Sequence, residues 1–357
     1  MKKLLSLLFA LTMLLSLAAC GGSESPPSSS GTASNPTTEK DVYTITLSHQ
    51  YATTTAFHEM CIWWEEQLET RSGGQIQVEI FPSAQLMPAD QEFTAMLDGR
   101  IQANTCNSAL LASFDESFCI FEMPFLFGDS YESMKNLAVF CRTPEFKELI
   151  AAPVEAKGIK VYPTYLDGAR EISTTKTPVK SLDDLKGLKL RSTGGRFSEL
   201  TGQTYGFNTM AIAAAELPTA LMQGTVDGQM MNPVYVYQVK SPVKYYTIIP
   251  FDYTAVDPIN VSASFYNSLP AELQQLMDDV GVELFDYSVQ YTTELLDDSY
   301  KMIKEDMGCE IYTLSEEDYA RAAELAKTVW AAYEEQIPNG SKLIQLASEI
   351  VDGTYTE

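Results

Sequence analysis

The sequence lacks a Gly-x-Ser-x-Gly elbow, a Gly-x-x-x-x-Gly-Lys loop and a Gly-x-Gly-x-x-Gly fingerprint. The local signatures of α/β-hydrolases, P-loop nucleotide hydrolases and dinucleotide enzymes are therefore missing. It holds only two histidines, His49 and His58. The run His58-Glu59-Met60-Cys61-Ile62 falls one ligand short of a zinc helix, because Ile62 stands where the second histidine is needed. None of its six cysteines forms a Cys-x-x-Cys pair, so no metal or redox centre is expected. Basic residues are scarce too. Lys and Arg number 24 against 48 Asp and Glu, giving a formal charge of -24. That balance excludes a nucleic-acid face and a polybasic membrane surface. Beyond Leu17 no apolar run approaches the length of a membrane span. The enzymatic reading left open is a hydrolase that uses paired carboxylates, and most acidic pairs on so acidic a surface are simply solvated.

The first forty residues hold what the rest lacks. Lys2 and Lys3 precede an apolar run from Leu4 to Leu17, which ends at Leu17-Ala18-Ala19-Cys20-Gly21. A short basic region, a short apolar region and small residues read as a secretory signal, here 1–19. Cysteine after two small residues fits a bacterial lipobox, so Cys20 is expected to become the lipid-bearing N-terminus. The alternative is an ordinary signal with a chance cysteine. The next stretch, through Lys40, is rich in Gly, Ser, Pro and Thr, with no large apolar residue. Residues 20–40 therefore read as a flexible tether that cannot offset the entropy of ordering. The five remaining cysteines are odd in number, and buried free thiols are expected.

From Asp41 the pattern becomes α/β. Strands are read at Asp41–Ser48, Gln75–Phe81, Ile159–Tyr165, Leu188–Leu190 and Val261–Phe265. Helices are read at Thr53–Arg71, Ala89–Gly99 and Ala213–Gln223. A long helix from Leu269 to about Met307 is expected to break or bend near Gly281. Another helix begins after Ser315. The opening strand–helix–strand–helix order implies a largely parallel sheet.

Two arginines stand at strand ends, where α/β sheets collect ligands. Arg191 follows Leu188-Lys189-Leu190 and precedes Ser-Thr-Gly-Gly, while Arg170 follows Asp167-Gly168-Ala169. A planar guanidinium fork suits a carboxylate. Two readings stand: a ligand clamp, or structural ion pairs in an acidic protein. His49 and Gln50 after the first strand, and Asn104, Asn107 and Ser108 after the strand-like segment that follows Gly99, are placed to face a cleft. His49 reads equally well as a structural residue.

Five segments in order resemble the DctP-type solute receptors of tripartite ATP-independent periplasmic (TRAP) transporters. They are Arg71–Leu86, Met123-Pro124-Phe125-Leu126-Phe127, Leu182–Arg191 (LDDLKGLKLR), Leu221–Gln229 (LMQGTVDGQ) and Ser268-Leu269-Pro270. The resemblance implies a two-lobed periplasmic-binding-protein-like α/β fold with a long helix spanning both lobes. Lobe I is then 41–167 with 256–290, and lobe II is 168–255 with 291–357. It implies that Arg191 clamps a small organic acid anion, assisted by Arg170. It implies that Asn232 contacts the ligand, although one extra residue separates Gln229 from Asn232-Pro233; Gln229 reads either as a ligand contact or as a turn residue. It further implies hinge closure and delivery to integral membrane subunits, without a cofactor. The protein is then a non-enzymatic receptor, lipid-anchored on the outer face of the cytoplasmic membrane. The competing readings are a lipoprotein enzyme, a receptor for a neutral solute, and a sensor.

Overall fold

The computed structural model describes residues 41–254 and 256–356. The Cys20 junction and the segment 21–40 lie outside the described residues. Eleven strands run in chain order among the described residues: β1 (Tyr43–His49), β2 (Ile76–Phe81), β3 (Ala103–Thr105), β4 (Ile159–Leu166), β5 (Arg170–Thr174), β6 (Lys189–Ser192), β7 (Asn208–Ala211), β8 (Gly228–Met231), β9 (Tyr245–Asp252), β10 (Val256–Ser262) and β11 (Glu310–Thr313). They form two sheets. One has the order β2-β1-β3-β10-β4, the other β11-β9-β5-β8-β6-β7.

The largely parallel arrangement read from the sequence holds with one exception per sheet. β1 pairs in parallel with β2 and β3, but β10 lies antiparallel between β3 and β4. In the second sheet β5 lies antiparallel between β8 and β9, while the β6–β7, β6–β8 and β9–β11 pairs are parallel. Both exceptions have one cause. β4 leads across into β5, and β9 leads back into β10, so each sheet receives one strand from the other. Two crossover connections, one from β4 to β5 and one from β9 to β10, thus join the lobes.

Local chemistry explains the elements flanking the cleft. β1 alternates along Tyr43 to Leu47 and then buries Ser48 and His49 as well. Its last residues are therefore enclosed on both faces. The helix Ala56–Ser72 buries Phe57, Met60, Cys61, Trp64 and Leu68 on one stripe and ends at Gly73 in the left-handed region. That stripe shares a core with Ile45, Leu47 and Val78, and with Leu273, Met277 and Leu284 of the long helix. Each such side chain contributes about 1.5–3 kcal/mol when fully buried. All five cysteines among the described residues are free and buried.

The long helix runs unbroken from Ala271 to Glu305, 35 residues, or roughly 50 Å at 1.5 Å per residue. The break expected at Gly281 does not occur. Gly281 is buried, and a Cβ there would overlap the Tyr162 ring of β4. The glycine permits a close helix–strand contact. The helix packs on Ala56–Ser72 and β4 and also on Pro233–Gln238. Near its end, Tyr300 donates to the buried Glu171 of β5 at 2.8 and 2.9 Å. It thus touches both lobes.

Two further expectations are corrected. The strand read at Val261–Phe265 is β10, Val256–Ser262, and Phe265 lies in the following helix Ala263–Ser268. Pairing with β4 ends at Ser262↔Ile159, so no ladder remains to extend. The helix read at Ala213–Gln223 starts at Leu217 with Pro218 in its first turn, and residues 213–216 form a turn. The last helix, Gly340–Val351, packs on Glu316–Gln336, on Ser130–Phe140 and on the short helix Glu116–Glu122.

Candidate functional site

The end of β1, the loop after β2 and the N-terminus of the helix Ser108–Phe114 face the ends of β6 and β7 across a cleft. It encloses about 580 Å³. Gln50, Ala84, Pro88, Asn107 and Leu110 line one side, and Arg191, Thr193 and Ala211–Ala215 the other. The small side chains of Ala211, Ala213, Ala214 and Ala215 leave this volume open. A second cavity of about 200 Å³ shares Gln50, Ala214 and Ala215 and reaches Tyr235. The lip at Ser83-Ala84 is held in an unusual shape. Both residues are left-handed, with φ of 56° and 55°. Their N–H groups donate to the carbonyls of Tyr51 (3.0 Å) and His49 (2.9 Å). Those bonds offset the strain and fix the lip to the end of β1.

Arg191 and Asp90 are the two charged residues lining the larger cavity among the described residues. Arg191 is 2 % exposed. Its Nε donates to the Ile212 carbonyl at 2.9 Å, which orients the fork, while Nη1 is buried without a partner. Burial first, and the charge of Arg170 second, push the guanidinium below its ordinary value. Arg170 is 3 % exposed. Its Nε lies 3.5 Å from Asp252 Oδ1, and its Nη2 donates to the Thr254 carbonyl at 3.5 Å. Both contacts are long, so the ion pair is loose. The repulsion from Arg170 makes an anion beside Arg191 favourable.

The other residues singled out from the sequence divide into two groups. Asn107 lines the cleft, and its side-chain oxygen accepts from Leu110 N at 3.0 Å, capping the helix that begins at Ser108. Gln229 pairs in register with Arg191 on the neighbouring strand. Its Nε2 donates to Ser173 Oγ at 3.0 Å, and its Oε1 is buried and unpartnered. Asn232 is fully buried and caps the helix Pro233–Gln238, accepting from Tyr235 N at 2.7 Å. His49 is fully buried, its Nδ1 accepting from Tyr51 N at 3.2 Å and its Nε2 meeting His58 Nδ1 at 3.1 Å. Accepting at Nδ1 leaves Nε2 as the donor, so both imidazoles are neutral in this arrangement. Burial, then His58, lower the His49 pKa to about 3. His49, Arg170, Gln229 and Asn232 line neither of these two cavities. Asn104 turns to Glu92 at 3.1 Å and accepts from Asn260 at 2.9 Å.

Several residues near the site carried no sequence signal. Tyr51 donates to buried Asp257, and its ring stacks on Phe57 at 4.0 Å. Asp167 and Asp257 lie at the two crossovers, 1 % and 0 % exposed. Burial drives the Asp167 carboxyl well up and the Asp257 carboxyl to about 7, with Arg170 opposing both shifts. Glu122 is buried on the short helix before Met123-Pro124. Its two oxygens accept from the N–H groups of Phe197 (2.7 Å) and Arg196 (3.3 Å), just after the strand bearing Arg191. Gly195 makes this possible. Its φ is +118°, and a Cβ there would come within 2.5 Å of Glu122 Oε2. On the same short helix, Glu116 pairs with Arg196 at 2.5 Å.

Comparisons with known proteins agree with this architecture. Bacterial extracellular solute-binding protein, family 7 (DctP) matches residues 47–336. The 2,3-diketo-L-gulonate-binding periplasmic protein YiaO of Escherichia coli is 23% identical over 325 residues, covering 90% of this chain and 96% of that protein. The C4-dicarboxylate-binding periplasmic protein DctP of Rhodobacter capsulatus is 25% identical over 296 residues, covering 82% and 87%. Among solved structures, a TRAP periplasmic solute-binding protein of Shewanella oneidensis with bound succinate superposes with a TM-score of 0.78. It is 22% identical and covers 87% of this chain and 99% of that one. The sugar acid binding protein DctPAm of Advenella mimigardefordensis, in complex with galactonate, gives 0.79 at 20% identity, covering 88% and 99%. These structures share the two-lobed fold. With the family matched over most of its length, the chain belongs to the DctP-type bacterial extracellular solute-binding proteins, family 7, and is a binding protein rather than an enzyme.

Proposed function

We propose that this protein is the lipid-anchored receptor of a TRAP-type transporter. It binds a small organic acid anion between its lobes and delivers it to the integral membrane subunits. The observation that carries the reading is Arg191, whose Nη1 is buried and unpaired in a guanidinium that lines a cleft of about 580 Å³. A carboxylate accepting from that fork satisfies the donor. Arg170 stands behind it and assists. Asn107 supplies a further polar group on the facing side, and Gln229, His49 and Asn232 support the walls. The relatives named above bind 2,3-diketo-L-gulonate or C4-dicarboxylates, and the solved relatives hold succinate or galactonate. All of these ligands are carboxylates.

The lobes, 41–167 with 256–290 and 168–255 with 291–357, close on the ligand by motion at the two crossovers. Closing expels water and strengthens the ion pair. A melting-temperature screen against small organic acids tests the reading, because a ligand that binds only the folded state raises apparent stability. At least one acid is expected to raise the midpoint by several degrees at millimolar concentration. A panel of acids without effect, beside a neutral sugar or amide that stabilises, overturns it.

The anchor is proposed from Leu17-Ala18-Ala19-Cys20. Cys20→Ser is expected to leave a folded domain and to move it from the membrane fraction to the soluble fraction. Retention of the variant in washed membranes contradicts the anchor.

A further inference from the structure

The second cavity, of about 200 Å³, takes no part in the arginine clamp, and its walls differ from those of the larger one. Leu217, Pro218, Tyr235 and Val239 form its apolar side. Its polar side chains, Gln50, Ser83, Ser241 and the Tyr235 hydroxyl, are all neutral groups. Among the described residues no charged side chain lines it. The larger cavity holds a cation, Arg191, and its other charged residue is the carboxylate Asp90. Together the two spaces offer an anion one cationic end and one uncharged, largely apolar end.

The two cavities adjoin. Gln50, Ala214 and Ala215 border both, so on the side of the second sheet the border consists of two methyl groups. The left-handed lip straddles them as well, with Ser83 on the second cavity and Ala84 on the larger. Tyr235, in the wall of one, interacts electrostatically with Arg191, in the wall of the other. The apolar wall is also built in advance. Leu217 and Tyr235 belong to the core shared by the helix Ala56–Ser72 and the long helix. The Tyr235 ring meets Phe57 edge-on with centroids 6.1 Å apart, and its backbone N–H is held by Asn232 at 2.7 Å. Side chains already fixed in this way lose little freedom when a ligand packs on them.

We propose that the second cavity is a subsite for an uncharged six-membered ring or short alkyl chain, carried by a ligand whose single carboxylate sits at Arg191. The proposal rests on the carboxylate reading above and adds a second point of attachment to it. Size agrees, since an apolar cavity of about 150 Å³ takes up benzene. Charge agrees too. A second carboxylate reaching this cavity gives up water and finds no cation. One turned back into the larger cavity finds Asp90. Leu217, Pro218 and Val239 then select the body of the ligand, and Arg191 its head.

Calorimetric titration of the wild-type protein with matched acids tests this. Butyrate, hexanoate and 3-phenylpropionate carry one carboxylate on a growing uncharged body. Succinate and adipate are the butyrate and hexanoate chains with a second carboxylate. Hexanoate or 3-phenylpropionate is expected to bind at least roughly tenfold more tightly than butyrate, the gain from burying two or more further carbons. Adipate is expected to bind at least roughly tenfold more weakly than hexanoate. Val239 lines the second cavity and not the larger one, so Val239→Phe fills the subsite alone. It is expected to bring the ratio of longer acid to butyrate within about threefold. Butyrate binding as tightly as both longer acids overturns the proposal, and so does a folded Val239→Phe protein that keeps the full ratio. If Val239→Phe does not fold, the wild-type ratios decide alone. Tight binding of succinate or adipate that is lost in Arg191→Ala overturns the proposal and leaves the carboxylate reading standing. Tight binding of a longer acid that Arg191→Ala leaves unchanged overturns the carboxylate reading and the proposed placement with it. Binding of none of the five acids overturns both.

Discussion

Arg191→Ala is expected to lower the affinity for the cognate acid by two to three orders of magnitude or more while leaving the fold intact. The protein's charge is strongly negative, so an approaching anion meets net repulsion. Salt screens that repulsion beyond about 8 Å at physiological strength. Attraction must then come from positive groups inside the cleft, and Arg191 is the cation lining the larger cavity. Removing one partner of a buried pair typically costs about 3–5 kcal/mol, which converts to the loss stated. Arg191→Lys keeps the charge without the bidentate fork and should also bind clearly more weakly. Arg170→Ala should lose less, because Arg170 is already engaged by Asp252 and the Thr254 carbonyl. Calorimetric titration with a melting curve for each variant checks the series. A folded Arg191→Ala protein that binds within a few-fold of wild type makes Arg191 a structural residue.

Glu122→Ala is expected to weaken both folding and binding. Its carboxylate joins the short helix Glu116–Glu122 to the start of the helix Ser198–Tyr205, across the loop that follows Arg191. Truncation leaves the Arg196 and Phe197 N–H groups without their acceptors and removes a negative charge from a helix N-terminus. An abandoned donor costs about 1–3 kcal/mol, so a loss of roughly 2–4 kcal/mol in unfolding free energy is expected. The loop carries Thr193, which lines the cleft, and affinity should fall by about tenfold. Glu122→Gln keeps the shape and one acceptor but turns an amide N–H₂ toward a backbone donor, so it should fall between wild type and Ala. Urea denaturation and calorimetry read the two effects. Unchanged stability in Glu122→Ala removes the carboxylate from any structural role.

How far the sequence could be read depended on whether a feature was local. β1 and the helix Ala56–Ser72 were legible because alternation and a three-to-four spacing are properties of adjacent residues. The capping box of Ser181 and Asp184 at the short helix Leu182–Leu185 is likewise built from residues three apart. Arg191 was legible by its place at a strand end. Gly281 was misread because a helix glycine looks like a break until the Tyr162 ring is found against it, 119 positions earlier in the chain. Val261 and Phe265 looked like one strand, but a strand ends where its partner ends, and β4 begins only at Ile159. The buried Tyr51–Asp257 contact was invisible for the same reason. Tyr51 and Asp257 are 206 residues apart, and nothing local marks either one among many tyrosines and aspartates. Glu122 reads as one acidic residue before Met-Pro-Phe until Gly195 folds against it.

The central claim, a carboxylate held by Arg191 between two lobes, is tested most directly by a crystal structure of the protein with its tightest-binding acid. The account predicts a ligand carboxylate oxygen about 2.7–2.9 Å from Arg191 Nη1, the range of charge-assisted bonds. It also predicts that Arg191 Nε still donates to the Ile212 carbonyl and that Asn107 and Gln50 close over the ligand. A ligand bound elsewhere, with Arg191 Nη1 engaged by a protein carboxylate or carbonyl, contradicts it.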